Sequence, residues 1–148
     1  MSTGPALSVY IDTSVLLKLF FREPESTRAA QIIHEETDIV VSSLTRLETL
    51  VQIQARVAGG LLTSAKARQR RARLALVLSR APFRFEAQSA LPIEVAERQV
   101  TASAIYCPTL DRLHLAAMES LKVRRLLTND ETQASAARAL GFEVILPR

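Results

Sequence analysis

The chain alternates short runs of β-branched and aromatic residues with longer stretches whose apolar positions recur every three or four residues. Val9, Tyr10 and Ile11 open the pattern and predict a strand over 9–11, whose unbroken apolarity suits burial on both faces. The pattern turns helical at once, predicting helices over 14–21 and, after Pro24, over 25–35. A second strand is expected over 38–41. Over 43–58, Leu44, Leu47, Val51, Ala55 and Ala58 fall at helical spacing and form the expected inward stripe, ended by Gly59-Gly60. A helix over 63–80 stops before Pro82, and a strand is expected over 83–86. Helices over 93–103 and 109–121, a strand over 125–128, a helix over 131–140 stopped by Gly141 and a strand over 142–146 complete the order. Strands alternating with helices predict a parallel sheet covered on both faces.

In such a sheet, chemistry collects beyond the carboxyl ends of the strands. Asp12 is expected there, directly after the first strand and directly before a helix. Asp130 repeats the arrangement two residues after Thr128. Each also has a purely structural reading as a helix cap, and Asp130 with Gln133 suits a capping-box variant. Glu48 lies one turn from Leu44 and Val51, so its carboxylate should lean toward the apolar stripe of its own helix, where an unpaired charge is destabilising. A Thr45–Glu48 capping box is the competing explanation. Asp111 stands in the first turn of a helix, where the helix dipole alone favours an acid. Four acids converging on one place repel one another and must bind protons or share a hard cation; all-oxygen donors favour Mg²⁺ or Mn²⁺ over zinc. His34 and His114 are too far apart for a two-histidine motif. His114, one turn from Asp111, is expected to be packed or hydrogen-bonded, with at most a secondary part beside the site.

Composition narrows the field. With 148 residues, 48% of them hydrophobic, and a slightly positive mean hydropathy, the chain is expected to form one domain over 1–148. MSTGPALS has neither the basic nor the apolar segment of a secretory leader, and no run approaches the ~20 apolar residues of a membrane span, so a cytoplasmic protein is expected. A single cysteine, Cys107, excludes an internal disulfide and a cysteine-only zinc site; buried packing is its expected role. Four glycines are too few and too scattered for a dinucleotide or nucleotide phosphate loop. A net charge of +4 suits a polyanionic partner. KARQRRAR sets Lys66, Arg70 and Arg73 on one helical face that would track phosphates, remain solvated or meet a protein partner. Aromatics at 5% with no tryptophan argue against a base-stacking platform.

YIDTSVLLKLF, SSLTRLETL, TLDRLHLAAM and LLTNDETQASAARALGFEV resemble, in order and spacing, the four acidic motifs of PIN-domain ribonucleases, particularly VapC-type toxins, and the likeness covers nearly the whole chain. The resemblance implies a three-layer α/β/α fold with a parallel five-stranded sheet in the order 3-2-1-4-5. It implies metal-dependent hydrolysis of RNA phosphodiester bonds, with Asp12, Glu48, Asp111 and Asp130 as the acidic site for Mg²⁺ or Mn²⁺. Thr13, Ser14, Thr128 and Asn129 become supporting polar residues. A homodimer and a small antitoxin protein whose tail covers the site are implied as partners. Arg112 departs from the family, which more often has a small residue after the acid; with Lys66, Arg70 and Arg73 it is a candidate contact to RNA or antitoxin. The alternative is a non-catalytic RNA-binding or regulatory PIN module, against which the four intact acids argue. A receiver phosphoacceptor would need an acid pair near the first strand and an Asp after the third, and a haloacid-dehalogenase phosphatase a second Asp where Ser14 stands.

Overall fold

The structure, a computed structural model, describes residues 7–148; most of the MSTGPALS segment lies outside the described residues. In chain order the elements are β1 (Val9–Ile11), α1 (Thr13–Leu16), α2 (Ser26–Glu35), β2 (Ile39–Ser42), α3 (Ser43–Ala58), α4 (Ser64–Leu78), β3 (Phe83–Glu86), α5 (Ile93–Ala102), α6 (Thr109–Ser120), β4 (Arg125–Leu127), α7 (Glu131–Ala139) and β5 (Glu143–Ile145). The five strands run parallel in the order β3-β2-β1-β4-β5. β1 is therefore central, with Val9 opposite Ile39 of β2 and Ile11 opposite Leu127 of β4.

The two-residue alternation of a strand explains why β1 is apolar throughout. Val9 and Ile11 enter one core with Ile39, Val41 and Leu127, packed against Val15, Leu16, Ile32, Ile33 and Leu74 from α1, α2 and α4. Tyr10, Val40 and Leu126 face the other way, onto Leu115, Met118, Ala136 and Ala137 from α6 and α7. All three residues of β1 are fully buried. Covering both faces leaves the strand ends as the open edge where β1 and β4 deliver Asp12 and Asp130. Among the described residues no helix is long and apolar enough to cross a membrane.

Two expectations need correction. The helix predicted over 14–21 is a single α-helical turn, α1, that tightens into a 3₁₀ turn at Leu17–Leu19, where buried Lys18 reaches Glu23 and Glu25 at 2.7 and 3.0 Å. The inward face of α3 is Leu44, Thr45, Thr49 and Ile53, whereas Leu47 and Val51 are 57% and 47% exposed. The helix is rotated because Thr45 donates to the Ile11 carbonyl at 3.1 Å and Thr49 to the Thr45 carbonyl at 2.8 Å, so both hydroxyls are satisfied inside. Leu47 and Val51 instead line a groove between α3 and α4.

Candidate active site

Asp12 is the N-cap of α1: its Oδ2 accepts from the Ser14 amide at 3.3 Å and from the Ser14 hydroxyl at 2.7 Å. Thr128, at the end of β4, donates to the same oxygen at 3.1 Å. The Thr128 hydroxyl also accepts from the Asp130 amide at 3.1 Å, and Ser14 Oγ accepts from the Asn129 amide at 3.0 Å. Ser14, Thr128 and Asn129 thus lace the β1–α1 and β4–α7 junctions together. Asp130 caps α7 by accepting from the Gln133 amide on Oδ1 at 3.0 Å. Capping accounts for one oxygen of each acid; the second oxygen of Asp130, Oδ2, has no hydrogen-bond partner among the described residues, and that of Asp12, Oδ1, lies 3.6 Å from His114 Nε2.

Glu48 reaches the same edge from α3. It does not form the Thr45–Glu48 capping box, because Ser42 caps α3 by accepting from the Thr45 amide at 3.2 Å. Its Oε1 accepts from the Thr13 hydroxyl at 3.2 Å and from His114 Nε2. An ionised carboxylate only accepts, so Nε2 carries a proton. Nδ1 of His114 lies 2.6 Å from the Tyr10 hydroxyl, which is also 2.7 Å from Ser42 Oγ. Sequence reasoning gave His114 a secondary part and overlooked Tyr10 and Ser42. Glu48's spacing pointed inward but said nothing of a histidine 66 residues away in the chain. Burial alone would lower the His114 pKa; the bond to Glu48 and the charges of Asp12, Glu48 and Asp111 raise it overall. Burial holds the Tyr10 phenol protonated.

Asp111, in the first turn of α6, completes the set. Its carboxyl is pushed up from 3.8 to about 6, by burial first and then by the charges of Asp130 and Asp12, against the opposing effect of His114. Among the described residues no three His, Cys, Asp or Glu side chains stand close enough to close on an ion by themselves. The donor set still fits Mg²⁺ or Mn²⁺: magnesium keeps several waters and takes only one or two carboxylates plus substrate phosphates, and the Asp12 and Asp130 oxygens not used in capping offer those carboxylates. Buried Asn129 Oδ1, with no partner among the described residues, adds a further oxygen at this edge.

A family profile described as PIN domain matches residues 9–139. The chain belongs to the PIN-domain family. It is 34% identical over 144 residues to Ribonuclease VapC46 of Mycobacterium tuberculosis, covering 95% of this chain and 98% of that protein. Its fold is similar to that of the Sarcin-Ricin loop cleaving toxin VapC20 of Mycobacterium tuberculosis, at a TM-score of 0.66 and 17% identity over 90% of this chain and 95% of that one. It is also similar to a chain of DNA-bound VapBC from Salmonella typhimurium, at a TM-score of 0.70 and 14% identity over 96% and 99% of the two chains. The central β1 and the strand order are thus those of a PIN fold.

Of the other expected contacts, Arg112 is not on the open surface: it is 5% exposed, and its Nη2 donates to the Ile105 carbonyl at 3.1 Å. Its long side chain folds under the 103–107 segment. Lys66 and Arg73 are exposed and Arg70 is half-buried, with the Arg70 and Arg73 guanidinium carbons 5.7 and 5.5 Å from the ring centres of Phe21 and Phe20. Cys107 is buried and free, and burial pushes its thiol pKa up, as a packing role requires.

Proposed function

We propose that this PIN domain is a Mg²⁺- or Mn²⁺-dependent endoribonuclease, the toxin of a toxin-antitoxin pair, acting in the cytoplasm as a homodimer silenced by a small antitoxin. The observation that carries the reading is that Asp12 and Asp130 each spend one carboxylate oxygen on a helix cap and keep the other off it, at an edge where Glu48 is held by Thr13 and His114 and where the charges of Asp130 and Asp12 raise the Asp111 carboxyl. Similarity to Ribonuclease VapC46 and to the toxin-antitoxin complex VapBC supports the substrate and partner classes.

Asp12 and Asp130 would hold the cation, with Asp111 completing its surroundings. Once bound, the cation supplies activation of water and polarisation of the phosphoryl oxygens. Thr13 and His114 fix Glu48 so that its free oxygen orients the attacking water and receives its proton. Ser14 and Thr128 hold Asp12 in one rotamer, so that no side-chain search precedes binding.

The test is incubation of purified protein with an RNA pool and Mn²⁺ or Mg²⁺, followed by mapping of new ends. Discrete metal-dependent ends, suppressed by EDTA, are expected. RNA that is bound but never cut would overturn the nuclease reading in favour of a binding module.

A further inference from the structure

Between α3, α4 and the end of β3 lies a hollow of about 520 Å³ whose chemistry the acid edge does not use. Arg46 of α3 and Arg71 of α4 both line it, over a floor of Leu50, Leu74 and Phe85, and no carboxylate lines it among the described residues. The Arg46 guanidinium carbon stands over the Phe85 ring, 4.1 Å from its centre, a cation–π contact that holds the head group in place while the residue stays exposed. Arg71 is exposed as well. Neither arginine forms an ion pair among the described residues, whereas Arg56 of α3 is held by Glu23 at 3.6 Å and Arg84 of β3 by Asp38 at 2.9 Å. Two like charges facing one hollow repel each other, and an anion between them relieves the repulsion.

Helix α3 ties this hollow to the acids. Glu48 follows Arg46 by two residues, about 3 Å along the axis, and the two side chains leave the helix on nearly opposite sides. Glu48 turns to Thr13 beside β1, and Arg46 to Phe85 in β3, two strands and roughly 10 Å away. A strand of RNA with one phosphate at the acids reaches the hollow by crossing the first turns of α3. A nucleotide carries both halves of what the hollow offers: anionic phosphates for guanidinium forks, and a flat base whose face covers apolar floor whatever its sequence. The volume falls in the roughly 300–1,000 Å³ range of sites that hold small molecules. Cations beside the acids also offset the repulsion that a polyanion meets on approaching four carboxylates, a need that no acidic protein partner would answer. We infer that the hollow is a second RNA subsite, in which one nucleotide lays its base on Leu50, Leu74 and Phe85 while Arg46 and Arg71 donate to its flanking phosphates. The inference rests on RNA as the substrate and names where the strand is held beside the point of cleavage.

The experiment measures binding of two unrelated fluorescein-labelled single-stranded RNAs to the full chain in Ca²⁺, across a series of salt concentrations. Wild type is compared with Arg46→Ala, Arg71→Ala, Ala75→Glu and, as a control for net charge, Arg28→Ala on α2, each first checked for folding by circular dichroism. All these positions are exposed, and Ala75 lines the hollow. Arg46→Ala and Arg71→Ala should each weaken both RNAs about fivefold or more and flatten the log-affinity versus log-salt slope by about 0.7. Ala75→Glu, which brings a carboxylate to the hollow, should weaken both RNAs at least as much. Arg28→Ala should change neither affinity nor slope. A wild type that binds both RNAs while Arg46→Ala and Arg71→Ala bind as tightly and with the same slope would overturn the subsite and leave RNA standing as the substrate. A wild type that binds no RNA would overturn both. Equal weakening by Arg28→Ala would overturn the subsite, since net charge would then suffice. So would unchanged RNA binding with loss of a co-purifying protein, which would give the hollow to that partner.

Discussion

Tyr10 and His114 meet inside the protein, hydroxyl to Nδ1 at 2.6 Å, with neither side chain exposed. Their rings are edge to face at 5.6 Å, so the contact is packed as well as hydrogen-bonded. It joins β1 to α6, draws in β2 through Ser42, and leaves Nε2 aimed at Glu48 on α3. A carboxylate on a surface helix is thereby referenced to the centre of the sheet.

Tyr10→Phe should destabilise the protein by about 1–3 kcal/mol, because it leaves buried groups on His114 and Ser42 without their partner. Urea denaturation measures this. His114→Ala should in addition lower cleavage by about 10- to 100-fold, the usual effect of removing a residue that orients a metal-site acid. Unchanged cleavage in a folded His114→Ala protein would show that Glu48 needs no such support.

Asp12→Asn should preserve the fold and remove cleavage. The amide oxygen still accepts from Ser14 and Thr128, so the cap survives, but the other side of the group becomes a donor and the charge is lost. A rate loss of at least about a hundredfold is expected from the removed electrostatic stabilisation. Mn²⁺ should raise the melting temperature of wild type and not of the variant.

Asp111 makes the metal-free protein pH-dependent in a definite direction. Its folded pKa of about 6 lies above its ordinary 3.8, so between these values the folded state binds more protons than the unfolded chain, and stability falls as pH rises. In EDTA, the stability of wild type relative to Asp111→Asn should therefore decline from about pH 4 to about pH 6. Saturating Mn²⁺ should abolish or reverse the decline, since the cation takes the place of the proton. Chemical denaturation at a series of pH values reads both effects; a constant difference in EDTA would contradict the shift.

The basic face of α4 divides under mutation. Lys66→Ala should leave stability unchanged, whereas Arg70→Ala should lower it by about 0.5–1 kcal/mol through loss of the contact with Phe21. If the face carries RNA, neutralising Lys66, Arg70 and Arg73 together should weaken two unrelated single-stranded RNAs equally and flatten the salt slope by about 0.7 per lost phosphate contact. A salt titration in Ca²⁺, tried in place of Mg²⁺ to suppress turnover, measures this.

What the chain determines by itself is whatever depends on near neighbours. A run such as Val9 to Ile11 is a strand because its residues are β-branched or aromatic, and Asp12 and Asp130 cap helices because the amides they accept from are two and three residues away. The acids at strand ends and the parallel order followed from that local reading and from the four motifs. The rotation of α3 did not, because that helix carries apolar residues on two faces, Leu44 with Ile53 and Leu47 with Val51, and periodicity cannot rank them. Only the bond from Thr45 to the Ile11 carbonyl, 34 residues back, decides which face meets the sheet. The same holds for the links from His114 to Tyr10 and Glu48, and for the burial of Arg112 under the 103–107 segment. Each is set by which surfaces the packed layers bring together, a property of the assembled sheet and helices and not of any stretch of chain.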